Sequence, residues 1–385
     1  MNKKNLGKIN EKKLRIAVFG HKRLSREGGI EIVVKELCTR MVQQGCIVTC
    51  YNRSGHHVSG AEYDSIEKHN TGICQKFVPT IEKKGLAAVS SSFFAALYSA
   101  IGKYDVVHIH AEGPAFFAWL PKMFGKKIIV TIHGIDWKRE KWKSGFGSAF
   151  IRQGEKNAAK YADEIIVLSK DVQNYFENVY GRKTCFIPNG VSRPEIRQAD
   201  LITRRLGLIK DSYVLFLGRL VPEKGIRYLV EAFKNVKTDK KLVIAGGSSD
   251  TDLFMKELKN LARDDDRIIF TGFVQGRILE ELYSNAYIYC LPSDLEGMPL
   301  SLLEAMSYGN CCLTSDIPEC AEVVEDNAVI FKKGDVEDLR EKLECLLNNE
   351  DKVNDYKKDS TNFICGKYSW DEVVERTLEV YNESI

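Results

Sequence analysis

The chain has 385 residues, enough for two or three domains at about 150 residues each. A hydrophobic fraction of 44% supports large buried cores, and a net charge of +3 excludes a general nucleic-acid binder, which would show a strong basic excess. Its 11 cysteines form no CxxC pair and no zinc-like spacing, which fits buried free thiols in a reducing compartment.

The N-terminus, "MNKKNLGKINEKK", is charged and lacks the apolar core of a signal peptide, so a cytoplasmic protein is expected. Residues 14–20, "LRIAVFG", read as a strand. Residues 28–45 read as a helix, with Ile32, Val33, Leu37, Met41 and Val42 at helical spacing. Strands follow at 46–52, 105–110, 127–134 and 164–169. The stretch 85–102 is the nearest approach to a membrane span, but serines interrupt it and no run reaches the roughly 18 apolar residues required. After the Pro- and Gly-containing segment 187–200 the pattern restarts, with strands at 213–220, 241–247, 267–274, 286–293 and 311–316 and a helical C-terminus from about Asp335. Continuously apolar strands alternating with helices, in two blocks, predict two doubly wound α/β domains, 1–192 and 193–364, followed by a terminal segment 365–385.

In such sheets ligands bind beyond the carboxyl ends of the strands. Here those ends carry Gly20, His110, His133, Gly134, Gly218, Arg219, Gly272, Phe273 and the segment 293–297. Arg219 and Lys224, in one short loop, suit a diphosphate, since arginine offers a planar fork of donors and lysine a mobile charge. The plain alternative is two solvated surface charges. Gly28 and Gly29 at a helix start could bring backbone N–H groups against an anion or a sugar, or simply form a turn. His108 and His110 share one sheet face, but no third ligand at metal spacing accompanies them. The acidic triplet of "RDDDRIIF" (263–270) precedes its strand and reads as a polar turn. In 136–160, Trp137, Trp142, Phe146 and Phe150 interleave with Lys138, Arg139, Lys141, Lys143 and Arg152. That pattern favours an anionic membrane surface, a phosphorylated acceptor, or an ordinary two-faced helix. In "SDLEGMPLSLLEAMSYG" (293–309), Pro299 is expected in the first helical turn and Gly309 at the C-cap. The N–H groups of residues 298 to 301 would be open to an anion, with Glu296 before the helix and Glu304 about one and a half turns in.

"EGMPLSLLEAMSYG" resembles the E-x7-E motif of retaining family-4 glycosyltransferases. "GRLVPEKG", "HGID", "IPNGV", the early "GG" and "GF" fall in that family's order, over about 15 to 381. "GGIE", "PTIEKKGL", "YDVVHIH" and "DWKREKW" are similar to the rhamnosyltransferase-like branch that builds bacterial surface polysaccharides. The resemblance implies a GT-B fold: two Rossmann-like domains facing a cleft, with a C-terminal helix crossing back to the first. It implies a nucleotide-sugar donor, UDP favoured, with its diphosphate held by Arg219 and Lys224. Glu304 would take the ribose hydroxyls, Glu296 the sugar hydroxyls, and Phe273 and Val274 the base. Gly29 would approach the diphosphate and His133 the donor sugar. Asn189, Gly218, Gly297, Met298, Leu300 and Ser301 complete the expected binding set. Ser192 departs from the family, which often has Asp there. A glycan or lipid-linked acceptor is implied, with no cofactor and no metal. Two other readings are a nucleotide-sugar epimerase or hydrolase on the same fold, and a non-catalytic sugar-binding protein.

Overall fold

The computed structural model describes residues 13–25, 28–55, 72–83, 85–138, 145–247 and 252–383. The first block runs β1 (Arg15–Phe19), α1 (Gly29–Gln43), β2 (Ile47–Arg53), β3 (Cys74–Val78), α2 (Leu86–Ile101), β4 (Val106–His110), α3 (Glu112–Ala115), α4 (Trp119–Met123), β5 (Lys127–Ile132), α5 (Phe146–Tyr161), β6 (Glu164–Val167), α6 (Lys170–Tyr180) and β7 (Cys185–Phe186). The second runs α7 (Leu201–Leu206), β8 (Tyr213–Leu217), α8 (Ile226–Lys234), β9 (Lys241–Ala245), α9 (Asp252–Ala262), β10 (Ile268–Gly272), α10 (Arg277–Ser284), β11 (Ile288–Leu291), α11 (Leu300–Ser307), β12 (Cys311–Ser315), α12 (Pro318–Val324), β13 (Val329–Phe331), α13 (Val336–Leu347) and α14 (Glu350–Lys367). The last helix is α15 (Trp370–Glu383).

The strands form two parallel sheets, ordered β3-β2-β1-β4-β5-β6-β7 and β10-β9-β8-β11-β12-β13. Every residue of β4, β5 and β12 is buried, as strands covered on both faces must be. In each sheet the order reverses at the centre, between β1 and β4 and between β8 and β11, which is where loops diverge and open a ligand crevice. Three strands escaped the sequence reading: β3, β7 and β13. Four of the five residues of β3 are exposed, so "CQKFV" lacks the continuous apolar run that marks the others.

The second domain has one continuous core; the first has a core on each face of its sheet. One of those faces is sealed by α15, whose Trp370, Val374 and Tyr381 join Ile16, Val18 and Met41. Burying the Tyr381 side chain completely contributes roughly 1.5–3 kcal/mol. The Lys127 ammonium donates to the carbonyls of Val380 and Tyr381, which anchors the end of α15. The chain therefore passes between the domains twice. The passages touch: Val191 N–H donates to Tyr368 O at 2.9 Å, and a Cβ on Gly190 would lie 2.6 Å from Trp370 N. Since α14 continues to Lys367, the return crossing begins beyond the expected residue 365.

Among the described residues no helix is long and apolar enough to cross a membrane. The serines of α2 instead face inward, and Ser90, Ser91 and Ser99 donate to carbonyls of their own helix.

Candidate active site

The second domain contributes two interlocked loops at its switch point. After β8 the chain passes Gly218 and Arg219 into a short turn, Pro222–Lys224, that ends at Gly225 with φ +64°. A Cβ there would lie 1.9 Å from Pro292 O, so only glycine lets this loop rest on the one after β11. The contact brings Lys224 Nζ to 2.6 Å from Glu296 Oε1, with the two side chains 13% and 8% exposed. Ser293 Oγ donates to the same oxygen at 2.6 Å. Glu296 Oε2 has no partner among the described residues, which leaves an acceptor for hydroxyl groups. Arg219 is exposed, and its guanidinium meets no carboxylate among the described residues.

Pro299 stands one position earlier than expected. It is the N-cap residue (φ −79°, ψ 89°), and α11 starts at Leu300. Leu302 and Leu303 N–H donate to Pro299 O at 3.0 and 3.2 Å, which leaves the N–H groups of Leu300 and Ser301 outside the helical ladder. Glu304 is therefore only about one turn in. Its Oε2 accepts from Tyr283 Oη at 3.1 Å, and the Tyr283 ring stacks on Tyr308 with centroids 5.2 Å apart. At the end of β10, Gly272 takes φ +72°, followed by the half-buried Phe273 and Val274.

The first domain offers its own switch point. A Cβ on Gly20 would lie 2.0 Å from His110 O, so the loop after β1 presses against the end of β4. His110 Nδ1 lies 2.9 Å from His133 Nε2, one nitrogen donating to the other. His108 bonds Tyr381 Oη at 2.5 Å and Thr131 Oγ1 at 2.7 Å, and its ring lies over that of His110, centroids 4.2 Å apart. Burial lowers the His108 pKa to about 3, and burial with neighbouring histidines pushes His110 well below its ordinary value. The ladder from α15 to His133 thus rests on neutral imidazoles.

The two halves meet glycine to glycine. Gly134 has φ +136°, and a Cβ on it would lie 3.0 Å from Gly297 Cα; a Cβ on Gly297 would lie 1.6 Å from His133 O. Nearby, Asn189 N–H points at Met298 Sδ at 2.9 Å, and a Cβ on Gly29 would meet Leu300 Cδ1 at 3.6 Å. Thirteen expected positions, Gly28 and Gly29, His133, Asn189, Gly218, Arg219, Lys224, Glu296 through Met298, Leu300, Ser301 and Glu304, therefore lie on the two facing loop edges or the connection between them.

Residues 201–363 match the glycosyl transferases group 1, and residues 27–193 match Glycosyltransferase Family 4, so the two matches together span most of the chain. It is a GT-B glycosyltransferase of group 1. Among its relatives is the UDP-Gal:alpha-D-GlcNAc-diphosphoundecaprenol alpha-1,3-galactosyltransferase of Escherichia coli, 28% identical over 80% of this chain and 84% of the relative. Another is the D-inositol 3-phosphate glycosyltransferase of Geodermatophilus obscurus, 24% identical over 92% and 84%. The fold matches sucrose-phosphate synthase of Thermosynechococcus elongatus (TM-score 0.82, 19% identity, 96% and 99% covered). It also matches HepE of Anabaena, solved with UDP and glucose (0.79, 15%, 96% and 100%).

Some sequence candidates of this glycosyltransferase lie away from the cleft. Asp265, in the acidic triplet, is tied to Arg267 at 2.7 Å. Of the basic-aromatic segment, Arg139, Lys141, Trp142 and Lys143 fall outside the described residues. Trp137 donates to Glu155 at 2.9 Å under the Arg152 guanidinium, and Phe150 stacks on Phe116, so these two rings serve packing. Sequence reading placed Ser293 at a ligand-facing strand end without giving it a role, and missed Tyr283 and the coupling of His110 to His133. Only Ser293 had a signal, its place at the end of a strand.

Proposed function

We propose that this glycosyltransferase is a retaining enzyme that moves a hexosyl group from a nucleoside-diphosphate sugar, UDP favoured, to a lipid-linked or other surface-glycan acceptor. The observation that carries the reading is the Lys224–Glu296 pair, set at a switch point and closed over by the His133–Gly134 loop. The donor diphosphate would sit between Arg219, Lys224 and the N–H groups of Leu300 and Ser301. These groups stabilise charge as it develops on the leaving phosphate. Glu296 Oε2 would receive sugar hydroxyls, Glu304 the ribose, and Phe273 and Val274 the base. His133 would hold the donor sugar, and Gly29 would let the first domain approach the diphosphate. The acceptor oxygen attacks C1 on the face the diphosphate leaves. The C1–O bond breaks towards the phosphate, and the acceptor proton passes to that phosphate oxygen. These cations and N–H groups supply the positive charge the step needs, so no metal or cofactor has a place in this reading. The UDP complexes of HepE and the UDP-galactose donor in the name of the E. coli relative support the choice of nucleotide.

The test is transfer by Glu296→Ala and Lys224→Ala, with folding checked by circular dichroism, after a screen of UDP-, GDP- and dTDP-sugars. Both variants should lose transfer while folded; near-normal transfer by both overturns the reading. A donor converted without any acceptor would indicate an epimerase or hydrolase instead. We further propose peripheral attachment to the inner face of the cell membrane. Phe146, 77% exposed at the start of α5, supports it. Equal co-sedimentation with neutral and anionic vesicles would count against attachment.

A further inference from the structure

The loop that carries His133 is fastened from behind by an acid that the transfer step does not use. Ala111, after β4, takes φ +75°, rare for alanine, and turns the chain straight into α3, whose first residue is Glu112. A Cβ on Gly154 would lie 2.0 Å from Glu112 O, so only glycine lets α5 seat this close, and it brings the next residue, Glu155, beside the Glu112 carboxyl. Both acids are buried, at 0% and 1% exposure. Their partners differ. One Glu155 oxygen accepts from Tyr175 Oη at 2.8 Å and from Tyr180 Oη, and the other from Trp137 Nε1 at 2.9 Å. Glu112 Oε2 accepts from the Asp136 N–H at 2.8 Å, whereas its Oε1 is buried with no hydrogen-bond partner.

Two buried carboxyls side by side do not both ionise, so the pair keeps one proton. Three donors hold the charge on Glu155. Burial, then the charges of Asp136 and Glu155, push the Glu112 pKa well above its ordinary value. The proton therefore sits on Glu112 Oε1, and the orphaned oxygen becomes a donor to Glu155. The other elements on α3 do not offset this. Burial keeps His110 of β4 neutral, Arg152 and Lys156 of α5 are exposed, and α2 carries no charged side chain.

We propose that Glu112 is a positioning residue for sugar transfer: as a neutral acid it donates to Glu155, accepts the Asp136 N–H, and so locks the loop 133–136. This rests on the transfer reaction proposed above. The same loop meets the second domain at Gly134 and Gly297, so its position sets how His133 faces the donor. Raising the pH strips the proton, leaves two buried carboxylates in repulsion and opens the lock.

Initial rates of sugar transfer against pH, and amide hydrogen exchange over 133–136 at matched pH, test this on the full chain, on Glu112→Gln and on Glu112→Ala. Glutamine keeps an oxygen for the Asp136 N–H and an NH2 for Glu155, and it does not ionise. At neutral pH Glu112→Gln should transfer at close to the wild-type rate and protect the loop equally. As pH rises the wild type should lose transfer and protection relative to Glu112→Gln. Glu112→Ala should transfer about ten-fold or more slowly throughout, with faster exchange. The proposal is overturned if the wild type and Glu112→Gln decline together as pH rises, or if Glu112→Gln is already impaired at neutral pH. It is equally overturned if Glu112→Ala melts lower but transfers and exchanges like the wild type, which would make the acid a packing group only. Should Glu112→Ala not fold, the comparison of wild type with Glu112→Gln decides alone. If the exchange pattern holds while neither wild type nor variant transfers sugar, the lock stands and the transfer reading falls.

Discussion

Gly297→Ala is the sharpest perturbation of the cleft. Gly297 is not among the glycines with positive φ, so the backbone accepts alanine and only the new methyl group matters. That methyl would lie 1.6 Å from His133 O and 2.7 Å from its carbonyl carbon. An ordinary carbon–oxygen contact needs roughly 3.3 Å, so the loops must part by about 1.7 Å. Backbone faces backbone at this point, and no side chain can rotate away. A displacement of about 1 Å in a positioned group costs on the order of 100-fold in rate, or about 2.7 kcal/mol of transition-state stabilisation. The contact lies at the cleft and outside the three hydrophobic cores, so the melting temperature should stay within a few degrees. Initial rates of sugar transfer, with donor binding measured separately by calorimetry, make the check. Donor affinity should change little, because Arg219, Lys224 and Glu304 stay in place. Transfer above half the wild-type rate would refute the closeness of the two loops.

Replacing either Lys224 or Glu296 alone leaves the other buried and unpaired, at a cost of roughly 1–3 kcal/mol. Lys224→Met with Glu296→Gln should destabilise less than the two single changes added, read by urea titration; additivity would deny the pair. Tyr381→Phe removes the hydroxyl that bonds buried His108 and should cost about 1 kcal/mol by the same titration. His21 and His108 have folded pKa values of about 4 and about 3 against an ordinary 6.5, chiefly from burial. The unfolded chain therefore binds more protons in this range, and stability should fall as pH drops from about 6.5 towards 4. A flat urea midpoint across that range would contradict neutral buried histidines.

The two sheets were legible because β1, β4, β5, β8 and β11 are continuous apolar runs, whereas exposed β3 and the short β7 and β13 were not. Arg219 and Lys224 could be found by their place after a strand, and Glu296 and Glu304 by their spacing. The bond between Lys224 and Glu296 could not, because strand order alone makes neighbours of loops 72 positions apart. His110 looked like half of a failed metal pair; its bond to His133 depends on the β4–β5 register, with His110 opposite Thr131.

The paired passages at Val191 and Tyr368 bear on how the cleft can open. A single connecting strand would permit rotation about any direction. Two strands fastened side by side behave like a pinned door: swinging is easy, while twisting or sliding strains the Val191–Tyr368 bond and the Gly190–Trp370 contact. Each swing should return Gly134 to Gly297 in one register, so the hinge itself sets where the reacting groups meet.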